Sequence, residues 1–179
     1  MSVVEKVKSY IGAYSATDIR SLLHADHEQI RALTEQISSD ESTQKRVRAF
    51  DQLKPFLTAH ARAEEQAVYI PLVNLRGSPD SRADGNEGFV EHSLVDVLMG
   101  RLSKTELAAT DAWKAHAQVL QEMLDHHIKE EEHGIFEKLG EHFTNEQRDA
   151  MGADFVARKQ KLLPTDGTPS KKRGNVAGA

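Results

Sequence analysis

Histidine and carboxylate side chains supply most of the reactive groups in this chain of 179 residues. The sequence holds nine histidines and 28 acidic residues, but no cysteine. Imidazole and carboxylate together are ligands that iron, manganese and zinc accept in proteins. The lack of cysteine excludes a disulfide scaffold, a thiolate-bound iron–sulfur cluster and a cysteine nucleophile for this chain.

One spacing recurs, a histidine followed four residues later by a glutamate. On an α-helix this spacing puts both side chains on one face, one turn apart, where they can hold the same ion. Helix surfaces rich in both residues produce such pairs by chance, so position within the apolar stripe of the helix is a second criterion. The pairs are His24/Glu28, His60/Glu64, His126/Glu130, His127/Glu131, His133/Glu137 and His142/Glu146.

Two of these pairs meet the second criterion. His60 and Glu64 fall within roughly 40° of the centre of their apolar stripe, and His127 and Glu131 do the same on a later helix. The pairs His24/Glu28 and His133/Glu137 are predicted to be solvated, and His142 lies at a predicted helix end. His126 and Glu130 lie to one side of their stripe, so the pattern does not decide their position.

Burial of these two pairs needs compensation, because an unpartnered carboxylate or a charged histidine is costly in a core. No lysine or arginine lies nearby on either stripe. A hydrogen-bonded His–Glu network is the ordinary explanation for a single pair. For two pairs of the same spacing on two helices of one bundle, a bound cation is the better explanation.

Two further histidines extend the pattern. His92 lies on a helical face with Val95 and Met99, and His27 lies at the edge of the stripe of an earlier helix. Asp26 is closer to the centre of that stripe, so geometry alone leaves the choice between Asp26 and His27 open.

The order of these residues indicates a weak internal repeat of a helical hairpin. A lone histidine precedes a His-x3-Glu pair by 33 residues in the first half and by 35 in the second. The repeat predicts a site with pseudo-two-fold symmetry between the hairpins. Four histidines and two glutamates can supply two metal ions that share both carboxylates, a shell typical of non-haem iron. The set is too large for one tetrahedral zinc ion.

Apolar residues recur at helical spacing along nearly the whole chain, which predicts an all-α protein. Long amphipathic helices with short connections favour an up-down antiparallel four-helix bundle. Pro55 and Pro71 are expected to bend or interrupt the third helix. Residues 76–86 are predicted to be a surface loop from their Gly, Pro, Ser and Asp content. Residues 103–106 and 144–147 fit capping boxes, and the first is expected to open a long helix that ends near Phe143.

The predicted organisation is an accessory helix over 1–16, the bundle over 17–143, a second accessory helix over 144–163 and a disordered tail over 164–179. The formal net charge of −5 argues against a nucleic-acid surface. No apolar run is long enough to span a bilayer, and the first residues lack the apolar segment of a signal peptide. A cytoplasmic protein without membrane contact is therefore expected.

The sequence resembles the hemerythrin-like, or HHE cation-binding, family over about residues 18–139. The matching stretches are 23–30 (LHADHEQI), 60–65 (HARAEE) with 69–71 (YIP), 91–92 (EH) with Leu98, and 127–132 (HIKEEE) with Phe136. The resemblance implies an up-down four-helix bundle around a non-haem di-iron centre, with manganese or zinc as less favoured metals. It also implies particular ligands: His27, chosen over Asp26, with His60, His92 and His127 as iron ligands, and Glu64 and Glu131 as bridges.

The sequence departs from the respiratory hemerythrins, which carry a histidine and an aspartate where Asp96 and Glu132 stand here. It is similar instead to bacterial HHE proteins that decompose peroxide, sense oxygen or nitric oxide, or handle iron. The expected ligand is therefore peroxide or a small diatomic molecule, and catalase-like activity is an open question. The alternatives are a metal-responsive binding or sensing module, acting through a homo-oligomer or a separate protein partner, and a helical bundle without metal.

Four further side chains lie beside the expected ligands in the sequence. Glu65 and Glu132 are expected to contact the ligands from outside or to be solvated. Asp96 is expected to be solvated, although it lies one turn from His92. Tyr69 either approaches the site through the bundle or packs its end.

Overall fold

The computed structural model describes residues 15–39 and 42–164, and all regular secondary structure in these ranges is helical. The prediction of an all-α protein is confirmed for this part. The helix predicted for 1–16 and the tail predicted for 164–179 lie outside it, apart from residues 15, 16 and 164. The α-helices are α1 Ile19–Ser38, α2 Thr43–Glu64, α3 Ile70–Val73, α4 Pro79–Leu102, α5 Asp111–Glu130, α6 Phe136–His142 and α7 Asn145–Leu162.

Side-chain caps define where several helices begin. The predicted capping box at 144–147 is confirmed, because the Thr144 hydroxyl accepts from the Gln147 amide and the Gln147 side chain accepts from the Thr144 amide. The predicted box at 103–106 is wrong. Ser103 instead ends α4 with helical dihedral angles, and its hydroxyl donates to the Met99 carbonyl and accepts from Lys54, so the turn that follows has no side-chain cap. A 3₁₀ turn, Thr105–Leu107, follows, and Thr110 caps α5.

The predicted loop over 76–86 is also wrong for most of its length, because α4 begins at Pro79. Proline is favourable in a first helical turn, where its missing amide hydrogen has no intrahelical acceptor. The true connection is short and includes Gly77, whose φ of 81° lies in the left-handed region that glycine adopts easily.

Two π-helical turns interrupt the helices that carry the His-x3-Glu pairs. The first, Glu65–Tyr69, follows α2, and the second, Glu131–Ile135, begins at the glutamate of the second pair. Such turns occur frequently at functional sites. Pro71 lies just after the first π turn, but α2 continues through Pro55, so the expected interruption there is absent. The second π turn has no proline, so a π turn forms in this protein without one.

The apolar core consists of two clusters with the polar site between them. On α1, His27 lies between Leu23 of one cluster and Ile30 of the other. On α2, His60 likewise lies between residues of the two clusters. Helix α1 packs against α2, α5 and α7, α4 packs against α5, and α7 also packs against α2. No described helix is both long and apolar enough to cross a membrane.

Helix α4 approaches the site closely through Gly88. A Cβ atom added there would lie 2.5 Å from Cζ and 2.9 Å from the hydroxyl oxygen of Tyr69, a fully buried side chain. Gly100, on the same helix, has open space around the equivalent position. The two glycines therefore allow a matched test of this contact.

We expect Gly88→Ala to lower the free energy of unfolding by about 1–3 kcal/mol, the usual cost of overpacking a core. Gly100→Ala should raise it by about 0.5–1 kcal/mol, because alanine loses less conformational freedom in a helix. Denaturant unfolding of the metal-free protein measures both. Equal effects of the two substitutions would contradict the close approach of α4 to Tyr69.

Candidate metal centre

The six residues predicted as metal ligands come together in the interior. Helices α1, α2, α4 and α5 each contribute one histidine, the end of α2 contributes Glu64 and the start of the second π turn contributes Glu131. None of the six is more than 4% exposed. The group is His27, His60, Glu64, His92, His127 and Glu131.

One half of this group is built around His27 and His60. The Nε2 atom of His27 lies 3.3 Å from Oε2 of Glu131, and Nε2 of His60 lies 3.3 Å from Oε2 of Glu64. Potential ligand atoms of His27, His60 and Glu64 all lie within 4.8 Å of one another. These three side chains therefore converge on one point.

The other half is built around His92 and His127. Their Nε2 atoms are 3.2 Å apart, and they lie 3.6 Å from Glu64 Oε2 and 3.4 Å from Glu131 Oε2, respectively. Two ligand atoms at right angles on a metal, with bonds of about 2.1 Å, are about 3 Å apart. The observed separations fit donor atoms that surround ions. Both glutamates lie between the two halves.

Several of these donor atoms have no hydrogen-bond partner among the described residues. They are both carboxylate oxygens of Glu64, Oε2 of Glu131 and Nε2 of His27, all buried. A buried polar group without a partner is costly, and more so when it is charged. A cation between these atoms would satisfy them together, so the residues present fit a metal centre.

A carboxylate holds the outer nitrogen of each histidine. With the Nδ1–H group donating to a carboxylate, each ring presents its Nε2 lone pair to the centre, as metal-binding histidines do. The Nδ1 to carboxylate distances are 3.1 Å for His27–Glu132, 3.0 Å for His60–Asp26, 3.1 Å for His92–Glu65 and 2.6 Å for His127–Glu91.

These outer carboxylates follow the internal repeat. Each is adjacent in sequence to one of the six central residues: Asp26 precedes His27, Glu91 precedes His92, Glu65 follows Glu64 and Glu132 follows Glu131. Each contacts a histidine on a different helical segment from its own. Asp26 is thus an outer partner of His60, although its place on the apolar stripe made it an alternative to His27.

The prediction that His24 is solvated is wrong. His24 is 7% exposed, and its Nδ1 lies 2.9 Å from Glu132 Oε1. The stripe analysis of α1 alone missed it because Glu132 approaches from the second π turn. Asp96 is exposed, as expected, and contacts Arg62. His126 and Glu130, which stayed undecided, are both exposed.

Tyr69 reaches the site through the bundle. Its hydroxyl donates to Oε1 of Glu131 and lies 3.5 Å from His127 Nε2. Burial, together with the charges of Glu131 and Glu64, raises the pKa of Tyr69 well above its ordinary value, so the hydroxyl keeps its proton. The side chain is therefore a hydrogen-bond donor at the edge of the centre.

Without metal, protons balance the buried carboxylates. Burial alone lowers the pKa of His60, but the charge of Glu64 and the hydrogen bond to Asp26 outweigh it and raise the pKa to about 10. Burial is similarly outweighed by Glu131 and Glu91 at His127, whose pKa rises to about 9. A metal ion must displace these protons, so binding is coupled to proton release.

One cavity of about 330 Å³ reaches the centre from the surface between α4 and the second π turn. Tyr69, His127 and Glu131 form part of its wall. Four more acidic residues line it: Asp84, Glu87, Glu91 and Glu130. A small molecule or an ion can therefore approach the His92/His127 half from solvent.

These features define a cation-binding helical protein with its site in the core. Residues 18–139, more than half of the chain, match the hemerythrin HHE cation binding domain, and the chain belongs to this family. The resemblance seen in the sequence is thus confirmed.

One curated relative is similar over most of this chain. It is a protein of Nostoc sp. (strain PCC 7120 / SAG 25.82 / UTEX 2576) named "DNA nickase", and it is 25% identical over 145 residues. The match covers 81% of this chain but 40% of the relative, so the chain spans about two fifths of that protein's length. No solved structure matches the chain significantly.

The protonation of the centre predicts how the stability of the metal-free protein depends on pH. A histidine whose pKa is raised by folding stabilises the folded protein, and this contribution is complete below the ordinary histidine pKa of 6.5. The contribution is lost as pH rises through about 9 for His127 and about 10 for His60. Burial raises the pKa of Glu132, but hydrogen bonds from His27 and Arg31 outweigh it and lower the pKa to about 2. That contribution is complete above 4.5 and lost as pH falls toward 2.

The melting temperature of chelator-treated protein should therefore be highest between about pH 4.5 and 6.5 and fall toward pH 10. Metal-loaded protein is the control, because its histidines bind as neutral ligands and their alkaline deprotonation is no longer linked to unfolding. A metal-free melting temperature that stays constant from pH 6.5 to about 10 would show that the buried histidines are neutral.

Proposed function

We propose that this protein holds two non-haem iron ions between its helices and that Glu64 and Glu131 bridge them. The His27/His60 pair would serve one ion and the His92/His127 pair the other. The observation that carries the proposal is the set of buried carboxylate oxygens without hydrogen-bond partners, placed between two pairs of Nε2 atoms.

The chemistry of the donors favours iron. A shell of imidazole and carboxylate that leaves positions open for a ligand is typical of non-haem iron, whereas structural zinc prefers a closed tetrahedron. Manganese accepts the same donors, so metal analysis has to separate the two. We also propose the up-down order of α1, α2, α4 and α5, which the packing of α1 on α2 and α5 and of α4 on α5 supports.

The ligand that we propose for the centre is small: oxygen, peroxide or nitric oxide. The cavity of about 330 Å³ leads to the His92/His127 half, so a small ligand can reach that side of the centre from solvent. Iron, when bound, supplies the redox chemistry. The protein contributes the buried pocket and the Tyr69 hydroxyl, which can donate a hydrogen bond there.

A role on DNA is not part of this proposal. The name of the Nostoc relative belongs to a protein of which this chain covers 40%. Glu87, Glu91 and Glu130 line the approach to the centre and would repel a phosphodiester backbone. The second candidate is a metal-responsive sensing module, and the absence of turnover in the assay below would favour it.

Elemental analysis of protein produced with iron available tests the metal assignment. We expect about two irons per chain and loss of both in His60→Ala/Glu64→Ala, because this double substitution removes a terminal ligand and a bridge. The matched control is His142→Ala/Glu146→Ala, which removes a pair of the same spacing outside the core. Circular dichroism checks that both variants stay helical. Full iron content in the first variant would refute the assignment.

A second experiment tests the ligand. We expect the iron-loaded protein to consume peroxide or to bind nitric oxide with a change in its iron absorbance, and Tyr69→Phe to weaken the response while keeping its iron. Oxygen release and absorbance spectra measure the two reactions, with metal-free protein as the control. Full iron content with no response to peroxide, oxygen or nitric oxide would overturn the proposed ligand.

A further inference from the structure

Three of the four outer carboxylates also contact a lysine or arginine side chain. Nζ of Lys159 lies 2.6 Å from Asp26, Arg31 lies 3.1 Å from Glu132, and Arg62 contacts Glu65. Glu91, the fourth outer carboxylate, has no lysine or arginine partner among the described residues. Its side chain is 20% exposed. The layer of positive charge around the centre is thus incomplete on the side of Glu91.

An exposed His–Glu pair lies beside Glu91 instead. Nε2 of His126 is 3.2 Å from Oε1 of Glu130, and the side chains are 64% and 49% exposed. Potential ligand atoms of Glu91, His126 and Glu130 all lie within 4.8 Å of one another. This pair repeats the buried His127/Glu131 pair with a shift of one residue along α5, so it faces outward.

The cavity joins two members of this group to the buried centre, and His126 lies outside its wall. Glu91, Glu130 and Glu131 all belong to its wall, together with His127. Glu131 is 3% exposed, and its Oε2 has no hydrogen-bond partner within the described ranges. This oxygen lies 3.3 Å from His27 Nε2 and 3.4 Å from His127 Nε2, so the wall of the cavity ends at a buried carboxylate that a cation would satisfy.

We propose that Glu91, His126 and Glu130 form an outer site that captures a divalent cation and passes it along the cavity to the buried centre. The proposal rests on the proposed iron centre and adds the route by which ions enter it. Imidazole and carboxylate suit Fe²⁺, Mn²⁺ and Zn²⁺ alike, so the site selects for charge more than for one metal.

The electrostatics of the cavity support capture and release. Carboxylates that line a cleft concentrate cations and raise association rates. Oε2 of Glu91 is 2.6 Å from His127 Nδ1, which leaves its other oxygen to face the incoming ion. The exposure of His126 and Glu130 keeps an ion at this outer site hydrated and exchangeable, whereas the deeper centre offers six buried donors.

The rate of iron loading tests the outer site. Metal-free protein is mixed with Fe²⁺ without oxygen, and free Fe²⁺ is trapped by a ferrous chelator at timed intervals. We expect His126→Ala/Glu130→Ala to load at least about tenfold more slowly, the lower range of electrostatic steering, and to reach the same final iron content. Glu91 stays unchanged in this variant, because it also holds His127.

The control is His116→Ala/Glu122→Ala, which removes the same residue types and the same formal charge from α5, away from the cavity. It should load like the unmodified protein. A second readout is titration of the iron-loaded protein with Mn²⁺, followed by electron paramagnetic resonance. We expect one further weak Mn²⁺ site per chain, which is absent in His126→Ala/Glu130→Ala.

The outcomes separate this inference from the proposed function. Equal loading rates in all three proteins, or no additional Mn²⁺ site, would refute the outer site while leaving the iron centre in place. Equal slowing in both variants would assign the effect to net charge and would also refute it. An unmodified protein that takes up no iron would refute the proposed centre itself.

Discussion

Two carboxylates in the middle of a helical core impose the main constraint on this structure. Glu64 and Glu131 are at most 3% exposed, and neither has a lysine or arginine beside it among the described residues. Charge in such a place must be balanced by protons or by metal. The raised pKa values of His60 and His127 indicate that protons balance the negative charge when no metal is bound. The carboxylate oxygens without hydrogen-bond partners fit a balance by metal ions.

Around these carboxylates the charge alternates outward in layers. Four histidines surround the two glutamates, four carboxylates hold the histidines, and lysine or arginine side chains contact three of those carboxylates. Each layer fixes the orientation of the one inside it, as outer partners do in metal sites. The fourth carboxylate, Glu91, faces the acidic cavity, so the break in the outermost layer coincides with the route to solvent.

The fold serves this arrangement by dividing its apolar core. One cluster lies on each side of the polar site, so apolar packing supports the helices without excluding the charged residues. The first π turn, directly after α2, accompanies a run of buried residues wider than one α-helical face: Ala63, Glu64, Glu65, Ala67, Val68 and Tyr69. Gly88 then lets α4 approach Tyr69 closely.

Local pattern in the sequence was enough for the helical class, the capping box at Thr144 and the selection of two His-x3-Glu pairs from six. These depend on periodicity and short-range spacing, which a single helix contains. The choice of His27 over Asp26 needed the family resemblance. Tertiary structure decided that His24 is buried and that Asp26 holds His60. Each of these depends on a residue from another segment, and the periodicity of one helix carries no information about which neighbour covers its face.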